Sequence, residues 1–211
     1  QKASSQASIT SSGYYTVDRY RIFLTTGQVT TSQSTDVPTG EGFTNSFKVD
    51  VTSAASMGVN DLLGVQQRIE AQNLQMLNYG TSGAKTITLS FFVKSNKTGT
   101  YCVALEKPDN TRYDFVSEYT ISSANTWEKK TITIAPDSNI QASAGAIDND
   151  NGIGFGLKFM LATGSDRDNA TNNTWNTGGG TVLSTSNQVN LLDSTSNEWY
   201  VTGVQLELGA V

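Results

Sequence analysis

A chain of 211 residues, 36% hydrophobic and rich in Thr, Ser, Asn and Gly, fits one all-β domain, a class in which single units commonly run to ~200–250 residues. The net charge of −5, with Lys and Arg scattered singly, excludes a basic stripe along a nucleic-acid backbone, and the absence of histidine removes Ser-His-Asp and Cys-His catalysis. One cysteine, Cys102, cannot build disulfides within the chain or a thiolate metal cluster, and no apolar run approaches the ~18 residues of a membrane helix.

Gln1 in place of an initiator Met is expected of a segment cut from a longer protein. Residues 1–13, QKASSQASITSSG, hold too little apolar surface to order by themselves and read as a linker or arm, leaving 14–211 as the folded domain. Residues 14–24 alternate Val17, Arg19, Arg21 and Phe23 against Tyr20, Ile22 and Leu24, a strand with an Arg-bearing face. Strands over 28–34 and 46–52 follow, with a Pro/Gly turn at 37–42 between them. In 62–70, LLGVQQRIE, the set Gln66, Arg68 and Glu70 alternates with Val65, Gln67 and Ile69. Leu74 and Leu77 have the spacing of a short helical turn ending before Gly80.

Residues 85–106, KTITLSFFVKSNKTGTYCVALE, carry the clearest period of two in the chain and read as a β-hairpin turning at 95–99. Ile87, Leu89, Phe91 and Val93 on one arm, and Tyr101, Val103 and Leu105 on the other, are expected to face the opposite sheet. After the turn at Pro108-Asp109-Asn110, strands are predicted over 112–121, 126–134, 155–162 and 198–208, the last with Tyr200, Val204, Leu206 and Leu208 on one face and Val201, Gln205 and Glu207 on the other. Residues 164–197 form a long polar loop holding Trp175, and such a loop is expected to be functional or mobile. About ten strands without helical crossovers predict two packed antiparallel sheets, a β-sandwich.

Catalytic and metal motifs are not found. Glu70, Glu207, Asp148 and Asp150 are the candidates for a glycosidase-type carboxylate pair, but their neighbours are ordinary strand and turn residues, and no catalytic residue is assigned. Asp148-Asn149-Asp150-Asn151-Gly152 lacks EF-hand spacing and reads as an Asx-rich turn. No cofactor is assigned; a structural Ca2+ held by separate loops stays open without a motif to support it.

SFFVKSN (90–96), TWEKKTITI (126–134) and WYVTGVQLELG (199–209) resemble the jelly-roll carbohydrate-binding modules attached to glycoside hydrolases. The stretches 65–101, 146–154 and 193–209 resemble, more specifically, a domain of tail-fibre-type receptor-binding proteins of marine tailed phages. The resemblance implies a jelly-roll domain on the virion surface, outside the cell, in a fibre or spike that forms a homotrimer, contacts host-surface glycans and packs with other virion proteins. Neither nucleic acid nor membrane insertion belongs to this picture. Two departures stand out: Thr202-Gly203 replaces acidic residues that often serve a structural calcium in such modules, and no dense aromatic platform is apparent.

Sugar recognition needs aromatic faces for C–H surfaces and side chains that donate and accept hydrogen bonds. If the strand of Gln66, Arg68 and Glu70 shares a sheet with Gln205 and Glu207, these five make one polar patch; otherwise they are a solvated strand face. Tyr79 at the rim reads as a stacking ring or as a cover for the core edge, and Trp175 as a binding aromatic or as the anchor of its loop. The expected function is a non-catalytic, carbohydrate-binding surface domain. The alternative is a structural or decoration module that oligomerises without binding a ligand.

Overall fold

Strands dominate because β-branched and aromatic residues alternate with Thr, Ser and Lys, a pattern that packs well on a pleated half-buried surface and poorly on a helix. The computed structural model describes residues 4–210, and among them twelve strands, numbered in chain order, form two six-stranded sheets, every pair antiparallel. Sheet I runs β1 (Ser5–Ile9), β3 (Gln28–Ser34), β4 (Ser46–Ser53), β12 (Glu198–Leu208), β6 (Ile87–Ser95) and β9 (Glu128–Ile134). Sheet II runs β11 (Thr174–Asn176), β8 (Tyr113–Ile121), β7 (Gly99–Lys107), β10 (Ile153–Thr163), β5 (Leu62–Glu70) and β2 (Tyr20–Leu24). The sheets enclose one large core: the β-sandwich that the alternation predicted, with the jelly-roll form that the resemblance implied. Among the described residues no helix is long and apolar enough to cross a membrane.

The core is aromatic at its centre. Phe91 of β6 meets Phe159 of β10 and Tyr119 of β8 edge to face, at centroid distances of 5.0 and 5.2 Å, and Trp199 of β12 packs on Phe159 at 5.6 Å. Tyr101 is fully buried beside them, donating its hydroxyl to the Lys97 carbonyl at 2.9 Å, and burial pushes its phenol up to about 12 from 10.0. Because the folded value lies above the unfolded one, this group's contribution is intact below pH 10 and is lost as pH rises through 12. Stability should therefore fall by about 2–3 kcal/mol between those values on account of Tyr101, a fall that urea titrations across that range should show in the wild type and not in Tyr101→Phe.

Four sequence expectations need correction. The 85–106 stretch is not a hairpin: β6 belongs to sheet I and β7 to sheet II, so the chain crosses the core at 96–98. Its two apolar faces meet across the sandwich, and the crossing is tied down by Asn96, which donates to Ser196 O and accepts from the Glu198 N–H. The true hairpin is β7–β8. On β12 a bulge between Thr202 and Gln205, with Gly203 at φ +60°, resets the alternation, so that Val201 and Leu206 face inward while Tyr200 and Gln205 face outward. Strand β2 begins at Tyr20 rather than at residue 14. Within the 1–13 arm, residues 1–3 lie outside the described residues, while Ser5–Ile9 pairs with β3 and buries Ile9.

A candidate ligand groove on the outer face of sheet II

In β10, Phe155, Leu157, Phe159 and Leu161 point into the core, so Lys158 and Met160 point out. The register then sets neighbours side by side. One row across sheet II reads Arg21, Gln66, Lys158, Ala104 and Val116; the next reads Arg68, Gly156, Glu106 and Asp114. Gly156 is what lets the rows touch, since a Cβ there would lie 2.8 Å from both Gln66 Nε2 and Glu106 Oε2.

The charged members interlock. Glu106 Oε2 accepts from Lys158 Nζ at 2.9 Å and from Gln66 Nε2 at 3.3 Å, and Oε1 pairs with Arg112 Nη1 at 2.7 Å. Arg112 in turn grips Asp114 with Nε and Nη2 at 3.0 and 3.2 Å. Burial lowers the Lys158 pKa, with Glu106 pulling it back, and raises that of Asp114 against the pull of Arg112. A network held this tightly presents a fixed floor rather than a mobile one.

One polar atom in the floor is left over. Gln66 is 3% exposed, its Nε2 is committed to Glu106, and its Oε1 has no partner among the described residues. Turning the amide over would set Oε1 against the Glu106 carboxylate, so the orientation is dictated by the network. A buried acceptor without a donor costs about 1–3 kcal/mol, which a bound hydroxyl or amide would recover.

Above this floor lies a groove of about 320 Å³, whose walls include Ser12 and Thr25 and, from the 164–197 loop as a second wall, Arg167, Gly180 and Leu183. The 164–197 loop that forms the second wall is docked: Leu183 packs with Phe23, Leu62, Cys102, Ala104, Val116 and Met160 in a small core on the outside of sheet II. Arg167 pins it by donating to the carbonyls of Asn60 and Gly180 at 3.2 and 3.3 Å. Arg68 also lines a second groove of about 830 Å³, whose walls include Tyr14, 43% exposed, Glu70 and Arg19. Arg19 stands at φ +67°, a left-handed strain that non-glycine residues keep mostly where the surroundings impose it.

The sequence-predicted site residues separate in this geometry. Gln66 and Arg68 line the smaller groove, and Arg68 and Glu70 the larger. Gln205 and Glu207 do not join them: they sit on β12, in the other sheet, because alternation reports a face and not a sheet. Tyr79 and Trp175, 6% and 3% exposed, are core residues with no ring face free to stack on a ligand; they meet at 5.9 Å, and Trp175 Nε1 donates to the Ala135 carbonyl at 3.0 Å. Trp175 is the anchor of its loop.

Lys158, Glu106, Arg112, Arg21 and Arg167 were not singled out. Two of them left a signal: Lys158 interrupts the apolar run FGLKFML, and Glu106 sits on the outward phase of β7 after Cys102 and Ala104.

The outer face of sheet I is closed on itself. Lys94 pairs with Asp36, which also accepts from Trp127 Nε1 at 2.9 Å; Lys94 lies 4.5 Å from the centre of the Tyr200 ring, and Lys48 bridges to Glu198 at 2.6 Å. Phe92 is half-buried under Phe43 and Lys129. Asp150 Oδ1 accepts from the Gly152 N–H at 2.8 Å, an Asx turn, and among the described residues no group of three or more His, Cys, Asp or Glu side chains converges on a metal position.

No protein-family model and no curated protein matches the chain. Among solved structures it is similar to the enzymatically active domain of tailspike protein 4 of bacteriophage CBA120, with a TM-score of 0.48 and 13% identity over 90% of this chain, which spans only 19% of the tailspike chain. It is similar to a xylan-binding domain of carbohydrate-binding module family 22, with a TM-score of 0.47 and 14% identity over 92% of this chain and 90% of that one. It also resembles the family 11 carbohydrate-binding module of Clostridium thermocellum in complex with a β-1,3-1,4-mixed-linked tetrasaccharide, with a TM-score of 0.44 and 15% identity over 99% and 98% of the two chains.

Proposed function

We propose that this domain binds saccharide without catalysis, in the groove over sheet II, and that it serves on a phage tail fibre or spike. The observation that carries the binding reading is Gln66: a buried acceptor without a donor, set in a floor of fixed donors and acceptors at the base of an open groove. Sugars present closely spaced hydroxyls that both donate and accept, which is what such a floor complements. Tyr14, 43% exposed, stands at the wall of the adjoining groove, and an aromatic side chain there suits the C–H face of a sugar.

A binding role also suits the state of the floor carboxylate. Glu106 is committed to three donors, an arrangement that orients a ligand and leaves no free oxygen to attack or to shuttle a proton. The virion setting is supported by the sequence resemblance of stretches 65–101, 146–154 and 193–209 to tail-fibre-type domains. In a trimeric fibre, weak single-site affinity would be multiplied by the copies engaged.

The test is a glycan array run with the wild-type protein and with Gln66→Leu. The wild type is expected to bind a subset of glycans and the variant to bind them about tenfold more weakly, as loss of one well-placed hydrogen bond would give. Absence of binding by the folded wild type would favour the structural or decoration module. Release of reducing sugar, abolished in Glu70→Gln, would overturn the non-catalytic reading.

A further inference from the structure

We propose that the groove over sheet II selects acidic saccharides, those bearing carboxylate or sulfate groups beside their hydroxyls. This rests on reading the groove as a saccharide site. The chain carries a net charge of −5, yet the groove is lined by five cations, Arg21, Arg68, Arg112, Arg167 and Lys158, against one carboxylate, Glu106. Glu106 and the buried Asp114 behind it are engaged by Lys158 and Arg112. The other three arginines have no carboxylate partner among the described residues: the guanidinium groups of Arg21 and Arg68 make no hydrogen bond or ion pair, and Arg167 turns only to the Asn60 and Gly180 carbonyls.

Their placement follows from the register. Arg21 stands directly across from Gln66, and Arg68 lies two residues further along β5 on the same face, so two arginines with uncommitted guanidinium groups neighbour the residue that carries the unpartnered Oε1. Like charges gathered around one concavity repel one another and raise the local concentration of anions. A guanidinium fork matches a carboxylate or a sulfate with paired N–H donors, and two forks set apart along a groove match a chain that repeats the anionic group. Charge alone does not complete the site, because Gln66 Oε1 accepts and an anion without hydroxyls cannot donate to it. A ligand that satisfies both features carries hydroxyl donors and anionic groups together.

The experiment is isothermal titration of the wild-type chain at low ionic strength with oligogalacturonate, with sulfated galactan oligosaccharides, with the carboxyl-reduced and desulfated counterparts of each, and with poly-L-glutamate. At least one acidic probe is expected to bind about tenfold or more tightly than its neutral counterpart, and the arm that does so distinguishes carboxylate from sulfate. Arg21→Gln and Arg68→Gln should each weaken the acidic probe about tenfold more than they weaken its neutral counterpart, with melting temperatures within about 2 °C of the wild type. Gln66→Leu should weaken acidic and neutral forms alike. Equal affinity for acidic and neutral forms would overturn the charge selection and leave the saccharide reading standing. Binding of poly-L-glutamate as tightly as the acidic saccharides would overturn the selection by showing that charge alone suffices, and failure of every saccharide to bind would remove both readings.

Discussion

Replacing Trp175 with alanine is expected to lower the unfolding free energy by about 3–5 kcal/mol and the melting temperature by roughly 10 °C or more. Trp175 lies on β11, the outer strand of sheet II, and its indole N–H reaches the Ala135 carbonyl just beyond β9, the outer strand of sheet I. It therefore closes the open side of the sandwich, and its ring fits between Tyr79 and Phe115 at 5.9 and 5.5 Å. Truncation removes the buried surface, leaves a cavity and frees the Ala135 carbonyl, three costs of the same sign. Trp175→Phe should recover most of the loss, falling short by about 1–2 kcal/mol for the missing hydrogen bond. Thermal melts of the two variants measure this directly. An unchanged melt with lost glycan binding would return Trp175 to the list of ligand contacts.

Glu106→Gln is expected to cost about 3 kcal/mol, because it removes the one carboxylate that meets Lys158, whose side chain is 9% exposed, and leaves that charge buried without a counterion. The loss should depend on pH. Burial already holds the Lys158 pKa below its ordinary 10.5, and without Glu106 it falls further, so the folded variant binds fewer protons than its unfolded chain over a wider range. Stability then rises with pH in that window, and the variant should regain part of its deficit between neutral pH and pH 10. Adding Lys158→Met removes the stranded charge, and the double variant should be more stable than Glu106→Gln alone. Urea titrations at three pH values separate these outcomes; a pH-independent loss, unrelieved by Lys158→Met, would mean that the pair is not what Glu106 supports.

The strands were legible because a period of two is a local property. Nine of the residue runs that alternate in the sequence are strands of nearly the expected length, from Gln28–Ser34 to Glu198–Leu208. What alternation does not encode is the partner. Gln66 and Gln205 both sit on outward phases, and only the pairing of β5 with β10 and of β12 with β6 puts them on opposite sides of the molecule. The same limit turned β6 and β7 into a hairpin, since apolar faces that meet across a core look identical to apolar faces side by side. Two members of the site, Gln66 and Arg68, were visible as outward residues of a predicted strand, whereas their network needed Gly156 as a gap and Arg112 and Arg167 from loops. Trp175 was ambiguous for a different reason: the composition of 164–197 says that the segment is polar, and nothing local says that Leu183 will seed a second small core against Cys102 and Met160.

Where a saccharide sits distinguishes the two outer faces of the sandwich. Mapping amide chemical shifts, side-chain amides included, while titrating acidic and neutral oligosaccharides addresses that point directly. The largest changes should fall on the Gln66 side-chain amide and on Arg21, Arg68 and Lys158, all on the outer face of sheet II. Changes confined to Phe92, Trp127, Tyr200 and Gln205, on the outer face of sheet I, with Gln66 unmoved, would contradict it.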